Sequence, residues 1–509
     1  RNISAQIGID LPDLDPVFEK ATIHQMALEC SVFIDAEALP KPLHKGHFML
    51  ASKQTLISCS DVVDIKINAE NLVRDEIRSN ETRTGLKTLN CVGASIPANK
   101  LLFTEPNEPG LQIPLMRCSF AFAEHLPVKA SCQVLVAGAG TAGSMAGIGS
   151  AQKEVNTIVV DYFNDQGGTK TVGGVMGYYH CVKTSKLLTD QEREASMLAD
   201  GLNMSKKAGR TIYLLTELLK AGGKYLPGTI ICGSLVKNRK VEGLVVCADG
   251  KLESIKSNLV IDATGDGDVA EFSGASFVIG DSRTGITQDY SQWDISGGAK
   301  LPGSATRDYD FIDNTRIAEL QRGLFLSHYE AYFYDFHPYL TVREARRVQG
   351  LYELNLSDAV EGTHFEDVIS LASSDFDPHY VPKSKFSRAG FLLPHSNDLV
   401  VEIPYQSIVP KGIDGLLISG RAISQSQNVL QFTRMSGDLL VLGYFTGQIG
   451  AYIAKQNVDP KDFSISFLQK EWLSQGYLDG ETMRKTAGTR ADNDDEIKMR
   501  VEKLAEGKS

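Results

Sequence analysis

Residues 132–180 read CQVLVAGAGTAGSMAGIGSAQKEVNTIVVDYFNDQGGTKTVGGVMGYYH. The apolar run Val134–Leu135–Val136–Ala137 predicts a buried parallel strand. Gly138, Gly140 and Gly143 follow in G-x-G-x-x-G spacing, with Thr141 and Ala142 between the last two, and a small-residue helix continues through Ala151. A second apolar run, Thr157 to Val160, ends at Asp161. In such a strand–turn–helix the first glycine permits the tight turn. The second lets backbone approach a pyrophosphate, and the third lets the helix pack closely on the strand. The helix N-terminus presents free N–H groups to a diphosphate. Asp161, eighteen residues beyond Gly143, stands where a carboxylate accepts from ribose hydroxyls. A purely structural glycine turn would need none of this context, so the stretch predicts a dinucleotide site on a Rossmann-type α/β domain.

The chain as a whole bounds the answer. Its 509 residues suffice for two or three domains and a large core, and 42% apolar with 23% charged residues is ordinary for a globular protein. A net charge of −11 argues against nucleic acid, whose recognition needs basic patches. The richest apolar stretch, Leu439 to Ala454, is interrupted by Gly443, Thr446, Gln448 and Gly450, so no membrane span is expected. The eight cysteines show neither C-x-x-C nor metal-ligand spacing, which predicts reduced thiols, no metal site and a cytoplasmic setting. The first residue is Arg1 rather than Met, as in a processed or cut chain.

Outward from the opening stretch, short alternating runs at 63–67 and 116–122 predict strands, and residues 1–130 read as a β-rich N-terminal region. Leu187 to Lys220 has helical periodicity, with Asp190 as N-cap and Gly222–Gly223 as terminator. Residues 229–260 predict a strand meander, closing on Ile261–Asp262–Ala263–Thr264–Gly265–Asp266–Gly267–Asp268. Two clusters fall between 270 and 400. One is aromatic, from His328 to Tyr339 and including His337. The other is Thr341–Val342–Arg343–Glu344–Ala345–Arg346–Arg347. On a helix Arg343 and Arg347 would share a face, either to hold a substrate carboxylate bidentately or to form an ion-pair network around Glu344. Finally, Gly415 to Ala422 predicts a strand reaching Gly420 and Arg421, followed by a helix containing Gly443 and Gly447.

Four of these pieces, in this order, resemble flavoproteins of the glutathione-reductase structural class. The family most similar is the FAD-dependent oxidoreductases that include xanthan-lyase-like flavoproteins, related to fumarate reductase and succinate dehydrogenase. The resemblance implies FAD as cofactor. It implies that Gly168, Thr169, Gly173, Gly174 and Val175 lie along the ribityl chain and ring, and that Thr264, Gly265 and Asp266 run beneath the adenosine side. It implies that Gly420, Arg421, Gly443 and Gly447 complete the site. Disulfide reductases of that class carry a cysteine pair after the Gly-Gly-Thr; here Lys170–Thr171–Val172 follows, so thiol–disulfide chemistry is not expected. The domains implied are a FAD-binding domain in two parts, 131–281 and 400–460, an inserted α+β substrate or cap domain at 282–399, and a helical tail at 461–509.

No second G-x-G-x-x-G exists for a nicotinamide domain, so the electron acceptor is unknown: oxygen, a quinone, a protein partner or a second organic substrate. The expected reaction is hydride transfer between flavin N5 and a small hydroxylated or carboxylated substrate, such as a sugar, glycoside or hydroxy acid. His180, next to the glycine loop, is the first choice of base; His337 and Arg343 are second choices for catalysis. A C=C reductase and a flavin-free escort protein on the same architecture are the alternatives.

Overall fold

The computed structural model describes four short strands within residues 48–97, and residues 126–280 apart from 176. It further describes 287–294, 307–312, 314, 320, 323, 336–375, 377, 379 and 399–480. The strands expected at 63–67 and 116–122, the aromatic residues 328–334 and the charged tail lie outside these. The chain divides into two compact units, Arg1–Leu115 with Asp289–Val342, and Met116–Gln288 with Arg343–Ser509.

The first unit contains the antiparallel hairpins Phe48–Ala51/Leu56–Cys59 and Thr88–Cys91/Ala94–Pro97. It also holds a three-stranded antiparallel sheet in which Asp289–Asp294 lies between Arg307–Phe311 and Phe336–Thr341. Tyr290 is fully buried there, and its hydroxyl donates to Gly323 O at 2.9 Å.

The second unit is built on a seven-stranded sheet. Its strands are β1 (Val128–Ala137), β2 (Thr157–Val160), β3 (Lys224–Leu226), β4 (Ile230–Lys237), β5 (Lys240–Ala248) and β6 (Lys251–Asp262). After the hairpin of β7 (Val368–Ser374) and β8 (Leu399–Pro404) comes β9 (Leu416–Ile418), which returns to the sheet. The order is β3-β2-β1-β6-β5-β4, with β9 on the far end of β6. β1, β2, β3, β6 and β9 run parallel, while β4, β5 and β6 form the antiparallel meander. Parallel strands are covered on both faces and therefore read as continuous apolar runs. Val134 to Ala137, Ile158 to Val160 and Leu259 to Ile261 are accordingly all buried.

The first crossover is α1 (Thr141–Ala151), buried from its second residue to its last. It packs on α4 (Ser436–Gln456). The crossing is close because glycines face backbone. A Cβ on Gly443 would lie 2.1 Å from Ala142 O, one on Gly447 2.1 Å from Ala146 O, and one on Gly149 2.3 Å from Tyr444 O. The outer side of α4 meets α5 (Ser466–Gln475). There Trp472 stacks on Phe445 at 4.2 Å between centroids, and its indole N–H donates to Gln448 Oε1 at 2.6 Å.

Two local expectations need correction. Residues 187–220 are two helices, α2 (Lys186–Gly201) and α3 (Lys206–Lys220). Asn203 takes φ +49° at the break, and Ser205 caps α3 by accepting from Ala208 N–H at 3.2 Å. Asp190 is not the N-cap, which is Ser185; it lies inside α2 and pairs with Arg193 at 2.9 Å. The helix expected at 343–347 is also absent. Its backbone is committed elsewhere: Val278 pairs with Arg347, Val348 N–H donates to Ala422 O (2.9 Å) and Gln349 N–H to Ser276 O (2.8 Å). No described helix is long and apolar enough to cross a membrane.

Candidate functional site

Strand register assembles the site. Ala137 pairs with Val160 and with Asp262, and Asp262 pairs with Ile418. Four parallel strands thus end at one level, and the loops after them start together. This is the carboxyl edge of an open α/β sheet, where ligands of such folds bind. Backbone bonds run one residue further: Gly138 N–H donates to Val160 O, Ala263 N–H to Ala137 O, and Ser419 N–H to Asp262 O, each at 2.8 Å.

Gly138 has φ +92°, and a Cβ there would meet Ala263 O at 2.6 Å, so the turn needs glycine. Gly143 faces Gly138 O at 1.9 Å from its notional Cβ, which lets α1 settle onto the turn. Gly140 differs. It is extended (φ −65°, ψ −164°), and a Cβ there would meet nothing within 4 Å. The open space lies directly ahead of α1. Ser144 N–H is the first to bond back along the helix, to Gly140 O at 3.0 Å, and no side chain caps the end. The N–H groups of Thr141, Ala142 and Gly143 precede it. A helix end with open space before it suits a diphosphate.

The second glycine loop is sewn to the first. Gly167 N–H donates to Ala139 O (2.8 Å), the Thr141 hydroxyl to Gly167 O (3.1 Å), and the Ser144 hydroxyl to Ala139 O (2.6 Å). Gly168, at φ +53°, leaves only 2.8 Å between a notional Cβ and Gly140 Cα. Beyond Thr169 the loop folds on itself: Gly173 N–H reaches Gly168 O (2.9 Å) and Val175 N–H reaches Thr169 O (3.0 Å), with Gly174 at φ +75°. Asp161 is almost fully buried. Its carboxylate accepts from the N–H of Ala139 and, at 2.7 Å, of Phe163. Burial pushes its pKa up while those N–H groups pull it down. Asp161 therefore braces the glycine turn, and each oxygen keeps a lone pair for a further donor.

On the other flank, Asp262 holds the Thr264–Asp268 turn by accepting from Thr264 N–H (3.1 Å), the Thr264 hydroxyl (2.7 Å) and Ala270 N–H (2.9 Å). Asp266 pairs with Arg421, whose guanidinium carbon lies 3.5 Å from a notional Cβ on Gly265. Gly420, at φ +90°, leaves 3.5 Å to Ala142 Cβ. Thus Gly138, Gly140, Gly143, Asp161, Gly168, Thr264, Gly265, Asp266, Gly420 and Arg421 gather around the start of α1. Gly443 also lies against the start of α1, at Ala142, and Gly447 one turn further on, at Ala146, both as residues of α4. Their demand for glycine comes from the α1–α4 crossing.

A polar cluster follows the second glycine loop. His180 Nε2 lies 3.6 Å from Asp375 Oδ1, and its ring meets that of Tyr179 edge-on at 4.2 Å. Asp375 also receives the Tyr179 hydroxyl at 3.5 Å and the Ser374 hydroxyl at 3.3 Å. Two residues on, Asp377 bonds Arg434 (2.6 Å) and His379 Nε2 (3.1 Å). Burial alone would raise Asp377; the His379 hydrogen bond and the charges of Arg434 and His379 hold it well below the usual carboxylate range. Asp438, buried in the first turn of α4, fastens both chain segments: Oδ1 accepts from Val182 N–H (2.8 Å) and Oδ2 from Ser373 N–H (2.9 Å). Sequence reading missed Asp375, Asp377, His379 and Asp438. The available signal was Asp375-x-Asp377-x-His379 directly after a buried strand, since alternate residues of an extended chain share a side.

The remaining candidates lie elsewhere. Arg347 is buried against Glu344, with its other nitrogens on Gln425 O (3.0 Å) and Gly280 O (2.8 Å). Of the two sequence readings for this segment it follows the ion-pair one. Arg343 precedes this pair and is half-buried. His337 falls within the strand Phe336–Thr341, and its side chain lies outside the described residues.

Among solved structures the chain is similar to a geranylgeranyl bacteriochlorophyll reductase-like protein from Thermoplasma acidophilum. That match has 13% identity, covers 72% of this chain and 90% of that one, and has a TM-score of 0.35. It is also similar to a flavocytochrome c3 fumarate reductase (14%, 73% and 88%, 0.31). A third is a 3-ketosteroid-delta4-(5alpha)-dehydrogenase from Rhodococcus jostii RHA1 (13%, 65% and 98%, 0.32). No curated protein sequence matches significantly. The model of the FAD dependent oxidoreductase family matches residues 133–320 and 309–472, most of the chain. The chain therefore belongs to the FAD dependent oxidoreductase family, and it is an enzyme whose cofactor is FAD.

Proposed function

We propose that this oxidoreductase removes a hydride from a hydroxyl-bearing carbon of a small hydroxylated or carboxylated substrate, with His180 taking the hydroxyl proton. When bound, FAD supplies the two-electron acceptor at flavin N5. The substrate C–H bond breaks with its electron pair, the O–H proton passes to His180, and a carbonyl remains. The residues fit the cofactor in the following way. The N–H groups of Thr141, Ala142 and Gly143, ahead of open space at Gly140, would hold the diphosphate. Asp161 would accept from a ribose hydroxyl, and Gly168, Thr169, Gly173, Gly174 and Val175 would line the ribityl chain and ring. Thr264, Gly265 and Asp266, with Gly420 and Arg421, close the other flank.

The observation that carries the catalytic reading is the position of His180. It ends the segment that leaves the second glycine loop, is 24% exposed, and has a carboxylate beside Nε2. An imidazole in such a place can take a proton from a substrate hydroxyl. Asp438 ties the His180 and Asp375 segments to the start of α4, as a general base requires.

The test is anaerobic flavin bleaching across a panel of sugars, glycosides and hydroxy acids. The native protein should be bleached by at least one of them. His180→Ala should retain its FAD absorption and lose about 10²–10⁴-fold in bleaching rate. A variant as fast as the native protein rules the role out.

A further inference from the structure

We propose that Arg434 donates a hydrogen bond to the substrate oxygen that His180 deprotonates, and so acts with His180 in the chemical step. This rests on the hydride-transfer reading and adds to it the group that holds the reacting oxygen.

Arg434 is placed by the two elements it joins. It closes the short helix Leu430–Thr433, whose four residues are all buried, and its backbone N–H donates to Leu430 O at 3.2 Å. The next residue, Met435, is the N-cap of α4. In the first turn of α4, Asp438 fastens Val182, two residues after His180, and Ser373, two residues before Asp375. The chain that carries Arg434 is thus tied to both segments of the polar cluster. A donor held on rigid elements needs little reorganisation when charge develops beside it.

The guanidinium is under-used where it stands. A guanidinium has five N–H groups. Asp377 takes both of the bonds that Nη2 makes, at 2.6 Å to Oδ2 and at 2.8 Å to the carbonyl. Nε is buried without a partner, and Nη1 has none among the described residues. The side chain is only 11% exposed. Donors withdrawn from water in this way are costly unless something accepts from them. Burial alone would raise Asp377, but the His379 hydrogen bond and the charges of Arg434 and His379 keep it ionised, so the charge of Arg434 is partly balanced. A partly balanced donor suits an oxygen that arrives as a neutral hydroxyl and gains negative charge as it reacts. Asp377 lies two residues from Asp375, whose Oδ1 is 3.6 Å from His180 Nε2. Base and donor therefore belong to one cluster.

The step balances without consuming Arg434. The O–H proton passes to His180, the C–H bond breaks with its electron pair going to flavin N5, and the oxygen's electrons close the C=O bond. The Arg434 N–H groups transfer nothing. Their bond to the oxygen is strongest while that oxygen is most negative, which is where a fixed donor accelerates a reaction.

The test is anaerobic stopped-flow bleaching of the FAD-loaded full chain, using the sugar, glycoside or hydroxy acid that reduces the native protein fastest. Arg434→Ala should keep its FAD absorption and lose about 10²–10³-fold in limiting rate, the cost of one oxyanion-hole donor. The half-saturating concentration should change less. Arg434→Lys is the milder variant should truncation disturb the fold. It should still lose about tenfold or more, because a compact ammonium does not reproduce the planar fork. Asp377→Asn separates donor from anchor: it removes the charge that Arg434 pairs with and keeps Nη1, so it should cost far less than Arg434→Ala. An Arg434→Lys protein as fast as the native one overturns the inference. A loss confined to the half-saturating concentration, or an Asp377→Asn protein as slow as Arg434→Ala, also overturns it. In each of these cases slow bleaching in His180→Ala leaves hydride transfer standing. A native protein that no member of the panel bleaches takes both readings down together.

Discussion

Lys170 follows the Gly168–Thr169 pair and is buried at 2% exposure. Its ammonium donates to Gly177 O and lies 4.1 Å from the centroid of the Tyr178 ring, with the Arg210 guanidinium 5.6 Å from the same ring. Arg210 is held bidentately by Glu192, which also accepts the Tyr178 hydroxyl at 2.8 Å. This packing braces the chain between the second glycine loop and His180. Burial first, and then the charge of Arg210, push Lys170 down to about 7. Below that pH both folded and unfolded chains hold the proton, and the stability is independent of this group. Above it, up to the ordinary lysine value of about 10.4, the unfolded chain holds a proton that the folded chain lacks, so stability rises with pH. The Cys132 thiol, pushed up to about 12 by burial, acts in the opposite sense above about pH 8.5, where an unfolded thiol ionises. The clear window is therefore about pH 7 to 8.5. Urea unfolding of the holoprotein should show native minus Lys170→Met stability rising there by up to about 1.4 kcal/mol per pH unit. Taking the difference cancels the buried carboxylates, and a flat difference would show that Lys170 is not the titrating group.

The crossing of α1 and α4 decides how precisely the helix end is aimed. At Gly447 a Cβ would lie 2.1 Å from Ala146 O, and that neighbour is helix backbone, which cannot rotate away. Gly447→Val should destabilise by about 1–3 kcal/mol, as overpacking does. It should also weaken FAD retention, because α1 must move to admit the side chain. A variant with lowered melting temperature and undiminished FAD content would separate the crossing from the site. The elements here were unequally legible. The strand ends at Ala137, Val160, Asp262 and Ile418 could be read because a buried parallel strand is a continuous apolar run that stops abruptly at glycine, acid or serine. Gly443 and Gly447 carry a packing demand of the α1–α4 crossing that the sequence does not show, because a small residue does not reveal what it is small against. The break between α2 and α3 is marked only by Gly201, Asn203 and the cap Ser205, and the helical period continuing on both sides of them outweighs those signals. The Asp375–His379 cluster was passed over because its partners, His180 and Arg434, are separated from it by long stretches of chain.

At the scale of the molecule, the cradle joins segments that are remote in sequence: 138–143, 161–175, 262–268 and 419–421. Few covalent constraints hold such loops in register, and a ligand touching all of them is a term in the stability of the unit. A group that binds only the folded state adds about 2.7 kcal/mol when present at a hundred times its dissociation constant. Protein stripped of FAD should therefore melt at a lower temperature, and the melting temperature should climb with added FAD. Gly140 makes the origin of that climb testable. Its backbone is extended, and a Cβ there enters open space, so Gly140→Ala should leave the stripped protein's melting temperature unchanged. On the proposed placement the same methyl group would occupy the volume in which the diphosphate would meet the end of α1, so the FAD-dependent rise should shrink severalfold. Gly143→Ala is the contrast, because its Cβ would stand 1.9 Å from Gly138 O; it should lower the melting temperature with or without FAD. A Gly140→Ala protein that keeps the full FAD-dependent rise would place the diphosphate somewhere other than ahead of α1.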